Sequence, residues 1–421
     1  MVKLDRICSW LFIINFALFV PSSHLVGFTD ELTSLILMVL IGIDCILNRN
    51  WLRYKLLWII VAIMTAYAIY SLTMVKFNTI RYVVTDWIIQ LKPYIAFVAM
   101  LIIAPSFNNK DKYILRNVAI FNVSVAVIVL FSRFFIGKFL LEPIFFHVMT
   151  AGMCIYISAA VYMFCSINKD GTIERKSLIV LTLMLITGLM CTRSKYYGEF
   201  VIAMFFMYLY RPGIMKHVNF KNVILIVLLL LLIFAVSWKK IEYYFITGNS
   251  DSFDPNVMET YARPVLYFTS FLILCDYFPF GSGLASFATF ASVENYSGLY
   301  YEYGLNYIWG LSPSMPDFIC DAFYPSLAQF GFVGILLFIY FWVYIYKYIK
   351  VLIRVNPQKY KNLFCIGVML MCFVFIESIA STTFVQFYGM MDMMFLGIIC
   401  AKGYNIKEQL EEEKIIGDGK I

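Results

Sequence analysis

Asn222–Trp238 reads NVILIVLLLLLIFAVSW, seventeen residues without a charge, bounded by Lys221 on one side and by Lys239 and Lys240 on the other. Seventeen to 25 apolar residues in a helix cross the hydrocarbon of a bilayer, and ten-residue alternating strands are what a barrel would need, so this stretch predicts a helical membrane span. The composition extends that reading to the whole chain. Of 421 residues 62% are hydrophobic and only 14% charged, and mean hydropathy is +0.80, which describes a protein whose solvent is mostly lipid. Reading outward for the same length predicts an all-α, polytopic fold of about twelve spans, near 7–22, 31–47, 56–75, 87–105, 113–131, 143–166, 177–192, 197–210, 222–238, 326–346, 362–381 and 384–401. The first of these is expected to be retained and not cleaved as a leader, because no small-x-small site follows it and further spans do. Residues 1–404 thus read as one membrane domain, and 405–421 as a charged tail with a short helix.

Lys and Arg in alternate connectors set the orientation. With Met1 in the cytoplasm, 23 of the 33 basic residues fall on the cytoplasmic side. Both termini are then expected in the cytoplasm, and the connector between spans 9 and 10, residues 239–325, is expected outside. The net charge of +7 follows from basic connectors facing anionic lipid and implies no nucleic acid. Neither G-x-x-x-x-G-K-[ST] nor G-x-G-x-x-G occurs, so nucleotide chemistry has no visible home. The ten cysteines include no C-x-x-C pair, and His24, His147 and His217 are scattered, so no metal site is expected. Cys275 and Cys320 fall in the long connector, with no spacing that argues for a disulfide.

Ten basic residues lie on the disfavoured outer side. Lys76, Lys239 and Lys240 adjoin span ends, where long side chains snorkel. Arg81 and Lys92 lie in a stretch with Tyr82, Trp87 and Ile88 that suggests an interfacial helix, where both could line a lipid-phosphate site. Arg193 and Lys195 differ, because Cys191-Thr192-Arg193-Ser194-Lys195-Tyr196-Tyr197-Gly198 turns between two spans with almost no spare length. An arginine pinned there can grip phosphate oxygens through its planar fork while lysine adds a point charge, although an ordinary charged turn has the same composition.

The long connector carries nine acidic residues, one arginine (Arg263) and eleven tyrosines. Aromatic faces with polar tips suit a membrane interface and the packing of sugar rings alike. The run Val265–Leu274 is too short to cross and reads as a surface or re-entrant helix. After it, Gly281-Ser282-Gly283 allows tight backbone that could bring amides to an anion. Ser314–Pro325 reads as a short helix with Pro316 in its first turn, placing Asp317 and Asp321 on one face. A carboxylate in a first turn suits the helix dipole, which accounts for Asp317 without function. Asp321, at the membrane rim, could orient or deprotonate a sugar hydroxyl.

Many spans, the basic turn Thr192-Arg193-Ser194-Lys195, and a late external loop in which Arg263 precedes Phe278-Pro279-Phe280-Gly281-Ser282-Gly283-Leu284 and then Gln329-Phe330-Gly331-Phe332-Val333-Gly334 together resemble the O-antigen polymerase and O-antigen ligase superfamily of bacterial envelope glycosyltransferases. The motif match covers about residues 190–200 and 260–335. Ligases of that superfamily share a loop histidine, and this loop has none, which tilts the resemblance toward a polymerase. The paired R-x10-G motifs of some polymerases are absent, since Leu274 and Met204 stand eleven residues after Arg263 and Arg193.

The resemblance implies an enzyme of the bacterial inner (plasma) membrane that transfers a growing glycan from undecaprenyl diphosphate to a carrier-linked repeat unit. It implies no cofactor and no metal. Its partners would be the lipid-linked oligosaccharide, membrane lipids, a chain-length regulator and a flippase. Arg193, Lys195, Arg263 and Arg81 would bind substrate, and Asp321, with Asp317 second, would act on the acceptor hydroxyl. The competing expectations are a ligase-type transferase and a transporter or flippase, the latter weakened by apparently few charges deep in spans, chiefly Glu377 and Asp392.

Overall fold

The computed structural model describes residues 3–20, 28–212 and 255–418, together with Leu228, Leu231, Phe234, Ala235, Trp238 and Glu242; side chains of 255–261 and 412–418 are outside the description. Most of the expected ninth span, 222–238, and the start of the connector at 239–254 lie outside the described residues, as does 419–421. The described chain is helical, with two isolated β-bridges and no strand among the described residues. Among the described residues six helical stretches are long and apolar enough to cross a membrane: Trp51–Val75, Ile80–Ile103, Asn109–Ile136, Val148–Cys165, Tyr324–Val355 and Pro357–Glu377. This is a multi-pass membrane protein.

The first helices are α1 (Leu4–Ala17), α2 (Thr29–Asn48), α3 (Lys55–Tyr70, prolonged by a π-turn to Val75), α4 (Ile80–Ile103) and α5 (Asn109–Ile136). After them come α6 (Leu141–Phe145), α7 (Val148–Cys165), α8 (Arg175–Thr187) and α9 (Ser194–Met204). Local chemistry sets their ends. Asn108 and Asp111 form a reciprocal capping box on α5, and the His147 ring accepts the Met149 N–H to start α7. The connector contributes α10 (Pro255–Asp276), α11 (Phe290–Glu294) and α12 (Gly298–Glu302). Last come α13 (Gly331–Val355), α14 (Pro357–Glu377) and α15 (Phe387–Asp418). Asn356 caps α14 by accepting the Lys359 N–H at 3.0 Å, with Pro357 in the first turn.

Alternating direction gives the bundle two ends. Arg6 with Asp111, Arg53 with Glu408, and Asn362 with the Gly171 carbonyl tie one end together. The other, the loop end, gathers the starts of α7, α9 and α15 and the finish of α14. Helix α15 crosses α4 closely, since a Cβ on Gly397 would stand 2.6 Å from the Phe97 carbonyl oxygen.

Three local expectations are corrected. Helix α4 begins at Ile80, so the stretch before span 4 is no separate interfacial helix. Its polar residues are inside: Lys92 is buried against Asp30 and Glu31, both at 2.5 Å, and Asp86 accepts the Ala285 N–H at 2.8 Å. A buried charge with partners in hand lets the helix continue where an unpaired one would end it. The tail is no separate helix, because α15 runs unbroken to Asp418. Ser314–Pro325 is a set of turns, not a helix, because the Phe318 N–H is taken by the Gly310 carbonyl at 2.9 Å and its ring packs on Trp309. Asp317 and Asp321 therefore share no helix face.

The connector has its own apolar core, with Leu266, Ile273, Phe287, Leu299, Tyr300 and Leu311 buried in it. It is fastened to the bundle by backbone. Gly283 N–H donates to the Gln329 carbonyl at 2.9 Å and Val333 N–H to that of Pro279 at 3.2 Å, while Tyr67 and Tyr70 donate to the carbonyls of Phe330 and Gly281. Gly281 and Gly331 have φ of +79° and +63°, and a Cβ on either would lie 2.3 Å from a backbone atom of the other. The amides of Gly283, Leu284 and Ala285 are all spent on Gln329, Ser71 and Asp86. The glycine segment is thus a splice and not an anion nest. Gly331→Ala should cost roughly 2–5 kcal/mol, the sum of overpacking and a left-handed side chain. Gly304→Ala, at φ +67° but with open space around it, should cost only about 1–2 kcal/mol. Thermal unfolding in detergent compares the two, and equal losses would mean the splice contributes nothing.

Candidate functional site

The loop end is organised by the last turn of α14. A helix C-terminus leaves its final carbonyls unpaired and carries partial negative charge. Here those acceptors are taken by three other segments. Lys195, in the first turn of α9, sets its ammonium 2.6 Å from Glu377 Oε2, 3.4 Å from the Glu377 carbonyl and 3.1 Å from that of Ala380. Tyr267 of α10 donates to the Ile379 carbonyl at 2.7 Å. From the end of the connector, the Phe323 N–H reaches the Ser378 carbonyl at 3.1 Å and Tyr324 Oη that of Phe375 at 2.9 Å.

Asp321, two residues before Phe323, is delivered by that docking to Arg263, and the two form an ion pair. Burial pushes the Asp321 carboxyl above its ordinary value, against the pull of Arg263 and then of Lys195 and Arg193. Arg193 caps α9 from a turn in which Thr192 is left-handed, φ +52°. It meets no carboxylate among the described residues; its Nη2 lies 3.1 Å from His147 Nε2.

Burial first, then the charges of Arg193, Lys195, Lys138 and Arg263, hold His147 down at about 4, so its ring is neutral near pH 7. A neutral imidazole has a single acceptor nitrogen. The Met149 N–H stands 3.2 Å from Nδ1. The Met149 N–H at Nδ1 and the Arg193 guanidinium at Nε2 are thus two donors facing a ring with one acceptor nitrogen. An anionic oxygen would satisfy the donor that the ring cannot.

Four of the six residues expected from sequence, Arg193, Lys195, Arg263 and Asp321, are therefore brought into one electrostatic neighbourhood. The other two are elsewhere. Arg81 is exposed on the first turn of α4 with its guanidinium 5.5 Å from the Tyr82 ring centre, and Asp317 is an exposed turn residue. Sequence reasoning missed His147, which it placed inside the expected span 143–166 whereas the helix starts at Val148, and it took Glu377, with Asp392, only as a deep charge. Two further carboxyls are buried, Glu199 on α9 beside Glu377, and Asp392 on α15 with no hydrogen-bond partner among the described residues. Asp392 is one of the deep charges expected from the sequence, and Glu199 adds to them.

Among the described residues no three His, Cys, Asp or Glu side chains gather as a metal site, and Cys275 and Cys320 are free thiols. Next to Tyr324 and Phe375, an apolar groove of about 510 Å³ runs between α13 and α14, lined by Leu327, Phe338, Trp342 and Met371. Neither a protein-family model nor a curated protein matches this chain.

The Lys195–Glu377 pair is nearly enclosed, with side-chain exposures of 12% and 4%. Removing one partner strands the other, so Lys195→Met or Glu377→Gln alone should destabilise by about 3–5 kcal/mol, whereas Lys195→Met with Glu377→Met should restore much of the loss. Unfolding midpoints in detergent measure this, and additive losses in the double variant would contradict the pairing.

Proposed function

We propose that this protein is a membrane glycosyltransferase that polymerises an envelope polysaccharide, joining oligosaccharide repeat units carried on undecaprenyl diphosphate. The observation that carries the reading is Arg193, without a carboxylate and facing neutral His147, beside a partly buried Asp321 at one end of an apolar bundle. Arg193 binds the diphosphate of the donor, while Lys195, its three donors committed to Glu377 and Ala380, and Arg263, held by Asp321, add positive charge beside it. The polyprenyl chain lies in the groove between α13 and α14, which is open to lipid and ends beside Tyr324. A lipid diphosphate is a good leaving group. The protein's work is to hold two substrates in line and to neutralise charge developing on the departing oxygen. Asp321 accepts the proton of the acceptor hydroxyl as the new glycosidic bond forms, and a desolvated carboxylate with an elevated pKa is suited to that task.

In this reading the chain makes twelve crossings of a bacterial inner membrane with both termini in the cytoplasm. The connector 239–325 faces outward, where the repeat units are joined. His147 favours a second reading, a ligase-type transferase, because it puts a histidine against Arg193 although the connector has none. A flippase draws on the buried carboxyls of Glu199 and Asp392.

In-vitro extension of a lipid-linked repeat unit tests the mechanism. Asp321→Asn should lose about 10²–10⁴-fold in rate at normal expression. The wild-type rate should fall toward acid with an apparent pKa above the ordinary carboxylate value, since the proton-bound form cannot act as base. Arg193→Lys should lose much of the rate and Arg193→Ala nearly all, because charge without the fork is not enough. A wild-type rate for Asp321→Asn would remove it from the chemistry. Orientation is tested separately, with single cysteines in a cysteine-depleted background. An impermeant thiol reagent on intact cells should label position 301 and spare 168 and 356, three positions exposed to solvent or headgroups, and labelling at 168 would reverse the topology.

A further inference from the structure

At the end of the bundle opposite Arg193 is a cavity of about 470 Å³ between the finish of α7 and the turn after it, the starts of α5 and α14, and the middle of α15. Lys112, Lys169, Lys359 and Lys402 line it, with Asn168 and Asn405, and no Asp or Glu lines it. The acidic neighbours are committed elsewhere. Asp111 is paired with Arg6, Glu408 with Arg53, and Asp170 accepts the Thr172 hydroxyl with both oxygens. None of the four lysines forms an ion pair among the described residues; Lys112 and Lys359 lean on Phe164 and Tyr360, at 5.7 and 5.6 Å from the ring centres.

The wall that carries Lys169 is built, not loose. Asn168 N–H donates to the Thr172 carbonyl at 2.9 Å and Gly171 N–H back to that of Asn168 at 3.0 Å, closing a tight turn. Gly171, at φ +88°, lets the turn lie against α14, where a Cβ would fall 2.0 Å from the Lys359 carbonyl oxygen, and Asn362 Nδ2 holds the Gly171 carbonyl at 2.8 Å. Four like charges held around one space repel one another, and a multivalent anion converts that repulsion into attraction. Amide side chains beside lysines suit phosphate oxygens, and a basic pocket between membrane helices is how a bilayer headgroup is recognised.

We propose that this cavity binds a phosphate-bearing anion, at a site separate from the loop-end cluster. Phosphate oxygens could come from an anionic lipid headgroup entering from the bilayer or from a soluble polyphosphate entering from the aqueous side. The test uses the full-length protein in neutral detergent or in phosphatidylcholine nanodiscs. The probes are cardiolipin added to the nanodiscs and inorganic pyrophosphate added to the detergent sample, with thermal stabilisation giving affinity. Each lysine should contribute about fivefold, so replacing all four by Gln should weaken binding several hundredfold. A cardiolipin response lost in that variant assigns a lipid headgroup, and a pyrophosphate response lost in it assigns a soluble ligand. If the fourfold variant does not elute as a folded species, Lys112→Gln with Lys402→Gln and Lys169→Gln with Lys359→Gln should each weaken binding by about 25-fold. Equal binding by wild type and lysine variants overturns the proposal. So does an equal loss on replacing Lys55, Lys110, Arg175 and Lys176, exposed outside the cavity, since that would mean diffuse surface charge.

Discussion

The carbonyls that finish α14 hold the loop end together. A helix buried in lipid cannot leave its last acceptors to water, and in this protein three separate segments satisfy them: the start of α9 through Lys195, α10 through Tyr267, and the end of the connector through Phe323 and Tyr324. The relative position of Arg193 and Asp321, 128 residues apart in sequence, is a consequence of that shared anchorage. Neither side chain touches α14 itself. Each sits two residues from one that does, so the geometry of the cluster is inherited from a shared set of main-chain acceptors, reached by the Lys195 ammonium on one side and the Phe323 N–H on the other.

How much of this could be read from the chain depends on the range of the interaction. Membrane class and most helices were legible because lipid imposes a local rule, a long apolar run without charge. Arg193 and Lys195 were legible because their connector is too short to put them elsewhere, and Arg263 because the connector has no other arginine. His147 was not, since its meaning comes from a neighbour 46 residues away. The turns at 314–325 look helical in isolation and are held open by Gly310 and Trp309. The Gly281–Gly283 amides look available and are consumed by the carbonyls of Tyr277, Ala328 and Gln329. Helix α4 passes Asp86 and Lys92 because their partners come from α2 and the connector. In each case a local pattern met a distant hydrogen-bond partner, and the partner decided.

Charge is distributed between the two ends in different ways. In the loop-end cluster Lys195 and Arg263 have carboxylate partners, and Arg193 faces a neutral ring. At the opposite end the carboxylates are drawn off by Arg6 and Arg53, and four lysines are left around a cavity. A pinned, geometrically defined cation suits an anion that must be oriented. A ring of flexible ammonium groups suits one that need only be retained.

The splice between Gly281 and Gly331 bears on how such a chain can drift. A side chain on lipid can exchange Leu for Ile, Val or Phe at almost no cost, because hydrocarbon does not read shape. Two backbones that touch through missing Cβ atoms have no such freedom, and a change at one glycine cannot be rescued at the other, because both obstruct main chain. Distant descendants of the same ancestor would therefore look unrelated over most of their length and still keep these two glycines, about fifty residues apart, as the trace by which kinship is recognised.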